Sequence, residues 1–124
     1  MSNLEKLLNL ATPRVKKAIE EIRKSIFLLG DDVQERFTSK MICYDTINKN
    51  NTGRKIRALF WFNLANGTFL RIHLRKNGNY PDLYNKIVPI GWGEYPELTF
   101  KEDELGSEQL EYIKDLARRS YQVQ

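Results

Sequence analysis

Residues 54–76, RKIRALFWFNLANGTFLRIHLRK, decide the fold. Asn66-Gly67 divides the stretch, and that dipeptide is a strong hairpin signal because both residues tolerate the positive φ of a tight turn. The residues alternate on either side. Ile56, Ala58, Phe60 and Phe62 share one parity, and Arg57, Leu59 and Trp61 the other. After the turn Leu70, Ile72 and Leu74 fall together, against Phe69, Arg71, His73 and Arg75. A period of two, rich in aromatic and β-branched residues, predicts two antiparallel strands. One face is apolar and must meet a core. The other mixes arginine, histidine and aromatic rings.

Working outward, the flanking segments supply the cover for that apolar face. Thr12-Pro13 has the form of a helix start, with a capping hydroxyl and a proline whose missing N–H is not needed there. Val15, Ile19, Ile22, Ile26 and Leu29 then recur at helical spacing, and Gly30 stands where a left-handed closing glycine is expected. Residues 13–29 are therefore predicted helical. Residues 1–11 form an N-terminal extension or short helix carrying Leu4, Leu7, Leu8 and Leu10. At the far end Ser107 caps a second helix. Its apolar residues are Leu110, Ile113, Leu116, Ala117 and Tyr121, and its charges suit the helix dipole.

Between these helices, residues 37–44 alternate as a first strand, without revealing which side is buried. Residues 48–53 are a polar loop. Residues 81–87 fit a short helix begun by Pro81, and residues 94–100 a last strand in which Pro96 argues for an edge position or a late strand start. The expected architecture is a single two-layer α+β domain spanning residues 1–124. Its order is α-β-β-β-short α-β-α, with a four-stranded antiparallel sheet and both long helices on one face. Ile56, Phe60, Ile72, Leu74, Ile19, Ile22, Ile26 and Ile113 are the expected core.

Composition bounds the function. The chain has 124 residues, 41% of them hydrophobic and 29% charged, as in an ordinary globular protein. No apolar run approaches a membrane span, no signal peptide is read at the N-terminus, and the lone Cys43 cannot pair within the chain. A cytoplasmic protein with no membrane partner is expected. The formal net charge of +4 is unevenly spread: the 54–76 stretch has six basic residues and no acid, whereas residues 77–124 have nine acids and five bases. That local excess favours an anionic partner.

Residues 29–33, LGDDV, after a helix, Trp92 between two glycines before a late strand, and Arg119-Ser120-Tyr121 closing the last helix resemble a small bacterial domain family of unknown function, often described as a "predicted transport protein". The last third is also similar to the YjbR-like family. The resemblance spans roughly residues 12–122 and implies a two-layer α+β fold. It further implies an association with restriction or defence systems through the first family and with DNA binding through the second. It supplies no catalytic residue.

Nor do the residues themselves supply one. His73 is the only histidine and Cys43 the only cysteine, which removes the usual zinc ligand sets. Cys43 with His73 is a nucleophile–base pair on paper, but a buried cysteine acting as a small hydrophobe explains it more simply. Gly91-Trp92-Gly93 lacks the context of a phosphate loop, and Trp92 reads as a packing anchor. The acids, Glu97 among them, read as surface residues. No cofactor and no enzyme activity are expected.

What remains is Arg57, Trp61, Arg71, His73 and Arg75 on one strand face. Arginines beside aromatic rings suit a single nucleic-acid strand, whose phosphates pair with the cations and whose bases stack. The expected function is a nucleic-acid-binding module, an accessory domain of a restriction or defence system. A protein-interaction or self-association surface is the alternative, because Trp, Phe and Arg also favour interface centres. A merely solvated face, with arginine stems covering the rings, accounts for the same pattern. On this reading Arg71 and Arg75 both lie outside the core, so changing them together leaves folding intact.

Overall fold

The computed structural model describes residues 1–47, 56–91 and 94–123, apart from the side chains of Ile47, Ile56 and Arg57. Its elements are α1 (Asn3–Leu8), α2 (Pro13–Phe27), β1 (Val33–Phe37), β2 (Met41–Ile47), β3 (Ile56–Asn63), β4 (Phe69–Leu74), β5 (Val88–Ile90), β6 (Tyr95–Lys101), a 3-10 turn (Glu102–Glu104) and α3 (Ser107–Tyr121). The described strands form one antiparallel sheet in the order β1-β2-β3-β4-β6-β5. The α+β class and the antiparallel sheet are as the sequence predicts, but the sheet has six strands where four are expected.

The two extra strands have identifiable origins. The expected first strand is the junction of a hairpin. β1 ends at Phe37, the chain turns through Thr38-Ser39-Lys40, and the Thr38 N–H donates to the Met41 carbonyl at 3.0 Å. β5 is three residues long and carries Pro89, which suits its place at the sheet edge; Pro96, read from the sequence as an edge or strand-start signal, sits at the start of β6, an interior strand. The helix expected over 81–87 does not form. The Asp82 carboxylate accepts the N–H groups of Lys86 and Ile87 at 2.8 and 3.2 Å, and Asn85 is left-handed at φ 55. A side chain that takes local N–H groups offers the backbone an alternative to the helix.

Both long helices cover one face of the sheet. Val15, Ala18, Ile19, Ile22 and Ile26 of α2 meet Ile113, Leu116 and Ala117 of α3 above Ile42, Tyr44, Phe60, Phe62, Leu70, Ile72, Leu74, Leu98 and Phe100. Every expected core residue with a described side chain is buried; Ile56 lies outside the described side chains. α1 forms as a short helix behind a Ser2 cap and adds Leu7 and Leu8 to the same cluster.

Two glycines do work other than that read from the sequence. No left-handed cap forms at Gly30; α2 closes at Leu28 with ordinary right-handed geometry. Gly30 instead lets Tyr121 approach, because a Cβ there would overlap the Tyr121 hydroxyl, which donates to Asp32 at 2.6 Å. Asn66-Gly67 does not make a two-residue turn with positive φ. The β3–β4 connection runs over residues 64–68, with Asn63 and Asn66 side chains accepting the N–H groups of Ala65 and Thr68. Gly67 lies against the Leu10 backbone and its carbonyl accepts the Thr12 N–H, so it ties the hairpin to the α1–α2 link.

β3 carries the feature that alters the predicted faces. Tyr44 stands opposite Phe60, but Asp45 stands opposite Ala58, so Leu59 is an extra residue in a β-bulge. A bulge breaks strict alternation, and Leu59 is fully buried in the core rather than sharing a face with Trp61.

Candidate nucleic-acid interface

Residues directly opposite one another in an antiparallel sheet point to the same side. Arg36, Cys43, Trp61, His73, Glu97 and Val88 are directly opposed in turn across all six strands. They form one row on the face away from the helices. Asn63, Arg71 and Thr99 form a second row beside it. Of the residues expected together, Trp61, Arg71 and His73 of β3 and β4 therefore share one face of the sheet.

Arg75 is not part of it. β4 ends at Leu74, and the chain turns so that Arg75 is buried, at 6% exposure, against the end of α3. Its Nε donates to the Ala58 carbonyl at 2.8 Å and its Nη1 to the carbonyls of Ser120 and Val123, both at 3.2 Å. Its Nη2 meets the Thr46 hydroxyl. The Ser120 hydroxyl completes the joint, donating to the Leu59 carbonyl at 2.6 Å and accepting the Arg75 N–H at 3.1 Å. The arginine thus takes up carbonyls at a helix C-terminus and beside the bulge, where backbone acceptors lack regular partners. Its role is to hold α3 to the sheet, which corrects both its expected place on the binding face and its expected harmlessness to folding. The side chain of Arg57 lies outside the described residues; its backbone pairs with Thr46.

The structure adds two residues: Glu97, read from the sequence as a surface residue, and Tyr95, given no role from the sequence. Glu97 of β6 stands directly opposite His73, with Oε2 at 3.4 Å from His73 Nε2 and Oε1 at 4.0 Å from Arg71 Nε. Both distances are short enough for Coulombic attraction, yet neither contact has hydrogen-bond geometry. Tyr95 of β6 brings its ring to 6.4 Å from that of Trp61, with the planes 31° apart, and Lys76 Nζ lies 5.9 Å from the Tyr95 centroid. Trp61 and His73 rings are 5.8 Å apart. The alternation of Leu98 and Phe100 was visible in the sequence, but the pairing of their strand with β4 was not.

The electrostatics differ from those expected of a basic patch. Burial pushes the His73 imidazole below its ordinary value; Glu97 pulls it back up and Arg71 pushes it further down. His73 is accordingly neutral near pH 7. Glu97 offsets Arg71, and Arg36 is paired with Asp45 at 2.9 Å. The face is mixed in charge, with Lys76 exposed at its rim.

Its distinguishing feature is unmet hydrogen bonding. Trp61 Nε1, Arg71 Nε and His73 Nε2 are fully buried and have no hydrogen-bond partner. Among the described residues these are the only such side-chain atoms, and all three lie on neighbouring strands of this one face. Buried polar groups are nearly always paired, so this cluster stands out among the described residues.

Cys43 and His73 do not form a pair. Trp61 stands between them in the row, so the two side chains are two strand spacings apart, roughly 9–10 Å. Burial also pushes the Cys43 thiol up, as for an inert cysteine. Among the described residues no group of three or more His, Cys, Asp or Glu side chains could hold a metal ion, and no helix is long and apolar enough to cross a membrane. Trp92 lies outside the described residues. Clefts of about 470 and 250 Å³ lie elsewhere, the first beside Asn77, Asn79 and Arg119 and the second between α1 and the β1–β2 turn. Comparison with protein-family models, characterised proteins and solved structures found no match to this chain.

Proposed function

We propose that this chain is a non-catalytic module that binds single-stranded nucleic acid on the sheet face opposite its helices. The observation that carries the reading is the cluster of unmet nitrogens at Trp61, Arg71 and His73, set beside the Trp61 and Tyr95 rings, whose planes are 31° apart. A flat ligand bearing hydrogen-bond acceptors meets both needs, and a nucleobase is such a ligand. Arg71 and Lys76 supply the cations that attract the strand. With Arg75 occupied elsewhere and Glu97 present, the face engages bases more than phosphates.

Fluorescence anisotropy with short labelled oligonucleotides tests this. Single strands should bind better than duplexes, because only they present unstacked bases. The salt dependence should be shallow, with a slope of about −0.7 to −1.4, as expected for one or two phosphate contacts on a single strand. Trp61→Ala should weaken binding by about 1–3 kcal/mol. Absence of binding by the wild-type chain at low salt contradicts the proposal.

A second reading, association with a protein partner or with itself, is favoured by Val88 and Tyr95, which are 50% and 36% exposed at the β5–β6 edge of this face. Concentration-dependent, salt-insensitive self-association abolished by Val88→Lys would support it.

A further inference from the structure

We infer that the base taken at this face is guanine, selected by Glu97. The inference rests on the single-strand reading above and assigns the chemistry of its central subsite.

The Glu97 side chain is 18% exposed and lies beside His73 and Arg71, with Trp61 one strand beyond His73. Its two oxygens face His73 and Arg71 but accept no hydrogen bond from either. An ionised carboxylate only accepts, through two oxygens with about four lone-pair sites between them. Such a group repels a phosphate, so the part of the strand that meets it must bring donors.

The four bases differ at this point. Guanine carries N1–H and the N2 amino group side by side, two parallel donors that match the two oxygens of a carboxylate. Cytosine and adenine each place one amino group next to a ring nitrogen that accepts, which would face the second oxygen with like polarity. Uracil and thymine offer a single N–H flanked by two carbonyls. Guanine also presents O6 and N7 as acceptors on its adjoining edge, the pair that a guanidinium recognises. Arg71 Nε, unpartnered and 4.0 Å from the Glu97 carboxylate, is placed to serve that edge. The Trp61 and Tyr95 rings give the base a surface to stack on. Arg71 and Tyr95 are each about one-third exposed, and they are the side chains whose rotation admits the base edge.

The test compares oligothymidylates that differ at one central position, carrying G, inosine, A or T, by anisotropy at low salt. The G strand should bind roughly tenfold or more tightly than the A and T strands, within the range of a good bidentate contact. Inosine, which lacks only the N2 amino group, should lose most of that advantage. In Glu97→Gln the G and T strands should bind with equal affinity. The inosine arm needs no variant, so it stands even where the substitution disturbs folding. Equal binding of G and T strands by the wild type, or a G preference that survives in inosine, overturns the guanine assignment and leaves single-strand binding in place. No binding of any strand overturns both.

Discussion

The two faces of one sheet treat arginine in opposite ways. On the helix side Arg75 is buried with its donors on the carbonyls of Ala58, Ser120 and Val123 and the Thr46 hydroxyl. On the other side Arg71, four residues earlier, has a buried Nε with no hydrogen-bond partner, next to two more nitrogens in the same state. Folding alone accounts for the first arrangement, since a guanidinium that meets several carbonyls offsets its own desolvation. It does not account for the second. Satisfied polar groups hold α3 to the sheet on one side, and under the proposed function the unsatisfied ones on the other side meet a ligand.

Substitutions break that contrast in graded steps. Phe60→Ala removes a fully buried ring packed 5.0 Å from Phe62, and it should cost about 3–5 kcal/mol in urea unfolding. A cost below 1 kcal/mol would place Phe60 outside the structural face. Gly30→Ala should cost about 1–2 kcal/mol, because the new methyl displaces the Tyr121 hydroxyl from Asp32. Gly30→Ala combined with Tyr121→Phe should then cost little more than Tyr121→Phe alone, and simple additivity of the two costs would contradict the clearance role.

The smallest effect is a pH dependence. The folded-state value of His73 lies below its ordinary 6.5, with burial as the leading cause. Between the two values the unfolded chain binds more protons than the folded one, so stability rises with pH. The full contribution is present above pH 6.5 and declines as the pH falls through 6.5 toward the folded value. Urea midpoints at pH 7 and pH 5.5 should show this decline in the wild type and less of it in His73→Gln. The decline attached to Glu104, whose carboxylate is held low by the Lys101 N–H and then by the Lys86 side chain, occurs at lower pH and stays separate. An equal slope in both proteins would contradict the buried, neutral state of His73.

The parts of the fold legible in the sequence were those written as periodicity. The stripe from Val15 to Ile26 and the alternation of Leu70, Ile72 and Leu74 each report burial directly, because one side chain in two or in three to four must meet the core. What failed was written in the tertiary structure. Thr38-Ser39-Lys40 turns the chain without Gly, Pro or Asn, so two strands read as one. Leu59 breaks parity through a bulge that no local signal announces. Arg75 has the same parity as Arg71, and only the end of β4 at Leu74 and the arrival of α3 separate their fates. Glu97 reaches His73 because β6 enters the sheet between β4 and β5, a pairing that sequence spacing does not encode.

The most direct measurement of the division between faces is thermal unfolding of Arg71→Gln beside Arg75→Gln. Glutamine cannot span the carbonyls of Ala58, Ser120 and Val123 and the Thr46 hydroxyl, so Arg75→Gln should lose about 2–4 kcal/mol, a fall in Tm on the order of 10 °C for a domain of this size. Arg71, with no hydrogen bond at its Nε and a side chain 34% exposed, should tolerate the same change within about 0.5 kcal/mol. Two variants that melt together, or an Arg71→Gln that melts lower, would show that the face assigned to a ligand is holding the fold instead.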